Sequence, residues 1–128
     1  MQRVLLVDDS SATRAYVRAA LEAGADVHVT DAASGFEALR ILPREHFDLL
    51  VVDINMPNIN GLELVSFIRQ SEAHRDTPLL IISTEASERD VARAMSLGAS
   101  GYLAKPFTAD ALLQAVAKLP RPAPRQNG

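Results

Sequence analysis

Asp48-Leu49-Leu50-Val51-Val52-Asp53-Ile54-Asn55-Met56-Pro57 is the stretch that decides the fold. Leu49 to Val52 is an unbroken run of branched and bulky apolar residues, the pattern of a short strand buried on both faces. The run stops at Asp53. Pro57 then bars a continuing strand, and Asn55, Asn58, Asn60 and Gly61 supply turn chemistry. In open parallel α/β sheets, ligands bind outside the carboxyl ends of the strands. A carboxylate at such an end, followed by a loop, is therefore placed to meet a ligand.

The flanking chain repeats the pattern. Val4 to Val7 forms a first buried strand that ends in Asp8-Asp9. Ser10 and Ser11 can cap a helix carrying Ala15, Val17, Ala19, Ala20 and Leu21, with Gly24 as its stop. Val27-His28-Val29-Thr30 alternates, which suits an edge strand covered less fully than its neighbours. Ser34-Gly35-Phe36-Glu37 and Asn60-Gly61-Leu62-Glu63 are capping-box patterns. The first opens a helix to about Leu42, before Pro43. The second opens one with Leu62, Leu64, Val65 and Ile68 facing inward. Thr77-Pro78 precedes a fourth apolar run, Leu79 to Ile82, which ends in Ser83-Thr84. Ser87 and Asp90 can start the next helix, with Val91, Ala94, Met95 and Leu97 apolar and Gly98 ending it. Tyr102-Leu103-Ala104 is a brief fifth strand leading into Lys105-Pro106. Thr108 caps a last helix carrying Leu112, Leu113, Val116 and Leu119. Five strands alternating with five helices through short loops predict an α/β fold, a parallel sheet covered on both faces. Residues 1–119 make one domain. Residues 120–128, rich in proline and without apolar period, read as a disordered tail or the start of a linker.

Composition narrows the function. At 128 residues, with 48% hydrophobic and 23% charged, the chain can bury a core without staples. Its net charge of -3 argues against direct nucleic-acid binding, which needs a basic face. It has no cysteine, so disulfides, thiol nucleophiles and zinc-thiolate sites are excluded. No segment has the length of a signal peptide core or a membrane span, and the expectation is a cytoplasmic protein without a membrane partner.

Right-handed crossovers bring all strand ends to one edge, so Asp8, Asp9, Asp53, Ser83 and Lys105 should converge there. Each has an ordinary reading alone, as a cap, a turn residue or a solvated lysine. Together they make a site. Three crowded carboxylates need a cation or a proton. An all-oxygen set favours a hard ion such as Mg²⁺. Asp53 can then act as a nucleophile on phosphorus, with Lys105 and the metal stabilising phosphoryl charge and the Ser83 hydroxyl bonding a further oxygen.

Asp8-Asp9, Asp53-Ile54-Asn55-Met56-Pro57, the Ser83 strand end and Lys105-Pro106-Phe107 resemble the signature of the response-regulator receiver domain. The likeness covers residues 3–119 and is greatest to single-domain chemotaxis regulators. It implies a doubly wound, flavodoxin-like sheet of order 2-1-3-4-5. It also implies that Asp53 is the phosphoacceptor, and that Asp8, Asp9, Asp53 and the Asn55 main-chain carbonyl hold Mg²⁺. Ser83 would be the switch hydroxyl, Tyr102 the aromatic that follows it, and Lys105 the phosphoryl partner, with Lys105–Pro106 cis. Such a chain is no enzyme beyond its own phosphorylation and dephosphorylation. Its donor would be a histidine kinase or phosphotransfer protein. Its output protein, unnamed by the sequence, would meet the face of the fourth helix, fifth strand and fifth helix, where Arg89, Arg93, Tyr102, Asp110 and Gln114 lie. It would be a monomer or a phosphorylation-dependent dimer.

Two positions depart from the family's common pattern: serine rather than threonine at Ser83, and Thr84 where alanine is frequent. Asn55 and Glu85, at positions that tune hydrolysis in the family, predict a short-lived phosphoryl state. An aspartate-nucleophile phosphohydrolase would want an acid where Asn55 stands, together with a cap domain. A flavin or nucleotide carrier would want a phosphate-cradling first loop instead of Asp8-Asp9. A receiver used only for docking or dimerisation, or as the isolated part of a larger regulator, remains the rival reading. His28, His46 and His74 lack metal spacing and read as surface residues. Arg18 and Glu22 read as a minor charge pair along the first helix.

Overall fold

The structure, a computed structural model, describes residues 1–84 and 88–120. Glu85, Ser87 and the tail from position 121 lie outside the described residues. The elements alternate as expected: β1 Gln2–Val7, α1 Ser11–Gly24, β2 Val27–Ala32, α2 Gly35–Ile41, β3 Leu49–Asp53, α3 Gly61–Gln70, β4 Leu79–Ser83, α4 Glu88–Leu97, β5 Gly101–Ala104 and α5 Ala109–Ala117. All strand pairs are parallel, in the order β2-β1-β3-β4-β5.

The unbroken apolar runs become central strands because both of their faces are covered. Every residue of β3 and of β4 is buried. Leu5, Val7, Leu50, Val52, Leu79 and Ile81 pack on one side with Ala38 of α2, Leu64 and Val65 of α3, and Ala94 of α4. Val4, Leu6, Val51, Leu80 and Ile82 pack on the other with Val17 and Leu21 of α1 and Leu112 of α5. Successive residues thus serve opposite core layers. β2 is an edge strand, as its alternation predicts, and β5 is the other edge.

Helix starts follow their cap residues. Ser10, Ser34, Asn60 and Thr108 each accept a hydrogen bond from the backbone N–H three residues on. At Asn60 the box is reciprocal, whereas Glu37 reaches back to the Ala33 N–H, one residue beyond its cap. Gly98 ends α4 at φ 117°, a conformation that favours glycine. Gly24 closes α1 for a different reason: a Cβ there would lie 2.5 Å from the Leu113 side chain of α5.

Three expectations are corrected. β2 continues to Ala32, where the Asp8 N–H donates to the Ala32 carbonyl. His74 is no surface residue. It is 1% exposed, and its Nε2 accepts a hydrogen bond from the Phe47 N–H at 3.3 Å. Arg18 and Glu22 face β2 rather than each other: Glu22 accepts from the Val29 N–H at 3.0 Å, and Arg18 donates to the Val29 carbonyl at 2.9 Å. These side chains satisfy backbone groups that an edge strand would otherwise leave open. No helix among the described residues is long and apolar enough to cross a membrane.

Candidate functional site

The register sets the site. Val7 pairs with both Ala32 and Val52, Asp53 with Ile82, and Ser83 with Ala104, so β1, β3, β4 and β5 end together. Asp8 follows β1 and is fully buried. Its Oδ1 accepts from the Ser10 N–H at 2.8 Å, a turn that leads directly into the α1 cap. Asp53 ends β3 at 3% exposure, and its Oδ1 accepts from the Asn55 N–H at 3.0 Å.

The loop after β3 folds back tightly on that strand. Asn58 takes φ 67°, and the Gly61 N–H donates to the Ile54 carbonyl at 3.1 Å. A Cβ on Gly61 would sit 2.4 Å from the Asp53 carbonyl oxygen, so only glycine allows this approach. On the far side, the Lys105 N–H donates to the Ser83 carbonyl at 2.8 Å, and the Lys105–Pro106 bond is cis.

Four of the five predicted side chains meet. Lys105 Nζ donates to Asp8 Oδ2 at 2.8 Å and lies 3.5 Å from Asp53 Oδ2. Oxygens of Asp8, Asp9 and Asp53 all fall within 4.8 Å of one another, with Asp9 exposed to solvent. Ser83, also fully buried, turns its hydroxyl to the Asn55 side-chain carbonyl at 2.5 Å. The sequence alone does not pair these two residues, which lie 28 positions apart. Tyr102 packs its ring beside the core layer of α3 and α4, and its buried hydroxyl finds no hydrogen-bond partner among the described residues. Burial pushes the Tyr102 hydroxyl up. Thr84 is exposed and lines a cleft of about 400 Å³ with Thr13, Tyr16, Lys105, Pro106 and Phe107.

The electrostatics leave a deficit of positive charge. Burial pushes the Asp53 carboxyl up, and the neighbouring Asp8 adds to that. The Asn55 N–H and the Lys105 ammonium pull the other way without cancelling it. Lys105 pairs with Asp8 and Asp53, and Asp9 adds a third acid to the cluster. An all-carboxylate cluster with one member open to solvent fits a hard divalent cation that keeps part of its water shell.

The response regulator receiver domain model matches residues 4–117. The chemotaxis protein CheY of Pseudomonas aeruginosa is 33% identical over 117 residues, covering 91% of this chain and 94% of that protein. Among solved structures, Vibrio cholerae chemotaxis protein CheY4 superposes with a TM-score of 0.87 at 36% identity, covering 94% of this chain and 99% of that one. The receiver domain of a Pseudomonas aeruginosa sensor histidine kinase, solved with a magnesium ion coordinated in its active site cleft, gives 0.83 at 28% identity, covering 92% and 96%. The chain belongs to the response regulator receiver domain family.

Proposed function

We propose that this receiver is a phosphorylation-activated switch in which Asp53 accepts a phosphoryl group from a histidine kinase or a phosphotransfer protein. The observation that carries the reading is the buried Asp53 carboxylate at a strand end, within reach of Lys105 and grouped with Asp8 and Asp9. Residues 1–119 are the receiver unit in this reading, and the relatives' chemotaxis names favour a signalling role of that kind.

Asp8, Asp9, Asp53 and the Asn55 main-chain carbonyl would hold Mg²⁺, as the donor chemistry favours. Mg²⁺ when bound would neutralise phosphoryl oxygens and offset repulsion among the acids. A carboxylate oxygen of Asp53 attacks phosphorus of the donor phosphohistidine as the P–N bond breaks. The bonding pair leaves with the imidazole, which takes up a proton, and Asp53 becomes an acyl phosphate. Lys105, already between Asp8 and Asp53, moves its ammonium onto a phosphoryl oxygen.

The added charge, roughly -1.5 to -2, is what the rest of the molecule reads. Ser83 exchanges Asn55 for a phosphoryl oxygen, and Tyr102, whose hydroxyl has no hydrogen-bond partner among the described residues, follows into the space released. The α4–β5–α5 face then changes its affinity for an output protein. Asn55 sits beside the site with a polar side chain able to hold water, which favours a short-lived phosphoryl state.

Incubation with Mg²⁺ and acetyl phosphate, followed by intact-mass measurement, tests the reading. A labile single-phosphoryl adduct is expected, and none in Asp53→Asn. An unmodified wild-type protein would favour a receiver fold used for docking.

A further inference from the structure

The Asp8 carbonyl lies between β1 and the α1 cap and belongs to neither hydrogen-bond ladder. It accepts instead from Arg14 Nη1 of α1 at 2.8 Å. That carbonyl is part of the planar peptide joining Asp8 to Asp9, so holding it restricts the backbone torsions on both sides and thereby where the two carboxylates point. The guanidinium is braced from behind. Arg14 Nε donates to Asp31 Oδ2 at 3.1 Å, and Arg18 Nη2, one turn further along α1, donates to Asp31 Oδ1 at 3.0 Å. Arg14 is 18% exposed, whereas Arg18 is 42% exposed. Arg18 and Glu22 already satisfy the open edge of β2 at Val29. Arg14 carries the brace through to the acidic turn.

We propose that Arg14 is a positioning residue for the divalent cation: through the Asp8–Asp9 peptide it holds these two acids in the arrangement the ion requires. The inference rests on the Mg²⁺ reading of the Asp8, Asp9 and Asp53 cluster. Geometry and charge predict opposite signs here, which makes the role testable. A guanidinium acting only through its charge would repel a cation, so its removal would tighten binding. One acting only as a tie between α1 and β2 would change stability and leave the affinity for the ion alone. A positioning residue weakens binding when it is lost, as partners behind metal ligands commonly do by about 10–100-fold.

The experiment is a Mg²⁺ titration of melting temperature on the full chain, for wild type, Arg14→Ala, Arg14→Lys and Arg18→Ala. The expected result is a Mg²⁺ dissociation constant raised about tenfold or more in both Arg14 variants and near wild type in Arg18→Ala. Lysine keeps the charge and loses the fork that joins two acceptors, so it should not rescue; it also carries the test if the alanine variant fails to fold. Phosphorylation by acetyl phosphate should recover in the Arg14 variants once Mg²⁺ saturates. Arg14 variants that bind Mg²⁺ as tightly as wild type, or more tightly, overturn the inference. A wild-type protein whose melting point ignores Mg²⁺ overturns the metal reading itself.

Discussion

The surroundings of Asp53 favour its neutral form. Burial and Asp8 together raise its carboxyl above the usual range, so the folded state holds that proton more tightly than the unfolded chain does. Its ionisation at neutral pH therefore opposes folding. Without metal, Asp53→Asn should melt higher than wild type at pH 7 in differential scanning calorimetry, and should lose the response to Mg²⁺. A lower melting point would show that the Lys105 contact outweighs desolvation. Gly61→Ala should act oppositely. The new Cβ would meet the Asp53 carbonyl oxygen at 2.4 Å, which forces the loop off the strand end. A loss of about 2 kcal/mol or more in urea unfolding is expected, with slower phosphorylation. The site acids and Lys105 were legible in the sequence because each closes a hydrophobic run, and a run's end can be read without knowing its partners. Arg14 and His74 were not legible. An arginine on an amphipathic helix and a histidine in a polar turn look like surface residues until distant chain segments close over them.

Elements explain which contacts move and which resist. The Ser83–Asn55 hydrogen bond joins the end of β4 to the loop after β3, and it must open if the hydroxyl is to reach a phosphoryl group. Ser83→Ala should still accept phosphate on Asp53, yet the backbone amide shifts of β5 should stay near their unphosphorylated positions. Full β5 shifts in that variant would remove Ser83 from the relay. At the opposite edge of the sheet, His74 ties the turn after α3 to Phe47, just before β3. Burial, with help from His46 stacked at 5.9 Å and from Arg69, holds its imidazole below the usual 6.5. The unfolded chain thus takes up this proton first. Stability from His74 is complete above pH 6.5 and declines as the pH falls from there toward the lower folded-state value. Melting temperature should drop between pH 7.5 and 5.5 in wild type and drop less in His74→Gln, whose amide oxygen can still accept from the Phe47 N–H. Equal slopes would assign the acid sensitivity to other groups.

At the scale of the whole molecule, a parallel sheet with helices on both faces separates two tasks. The apolar side chains are shared between two core layers, while Asp8, Asp53, Ser83 and Lys105 gather at the one rim where β1, β3, β4 and β5 end together. Alternating elements and apolar runs sufficed to predict that architecture, since burial on both faces leaves a strand no polar side to show. The long-range bracing of α1 against β2 was hidden, because charged pairs distant in sequence have no periodicity to read. In the proposed function, Asp53 at this rim takes up a single phosphoryl group from its donor. The most direct test treats the protein with Mg²⁺ and acetyl phosphate, reduces the product with borohydride, and sequences the peptides by mass spectrometry. An acyl phosphate on Asp53 predicts reduction of that residue alone to homoserine, within residues 48–57. Modification at Asp8 or Asp9, or an unmodified Asp53 under saturating Mg²⁺, would contradict the account.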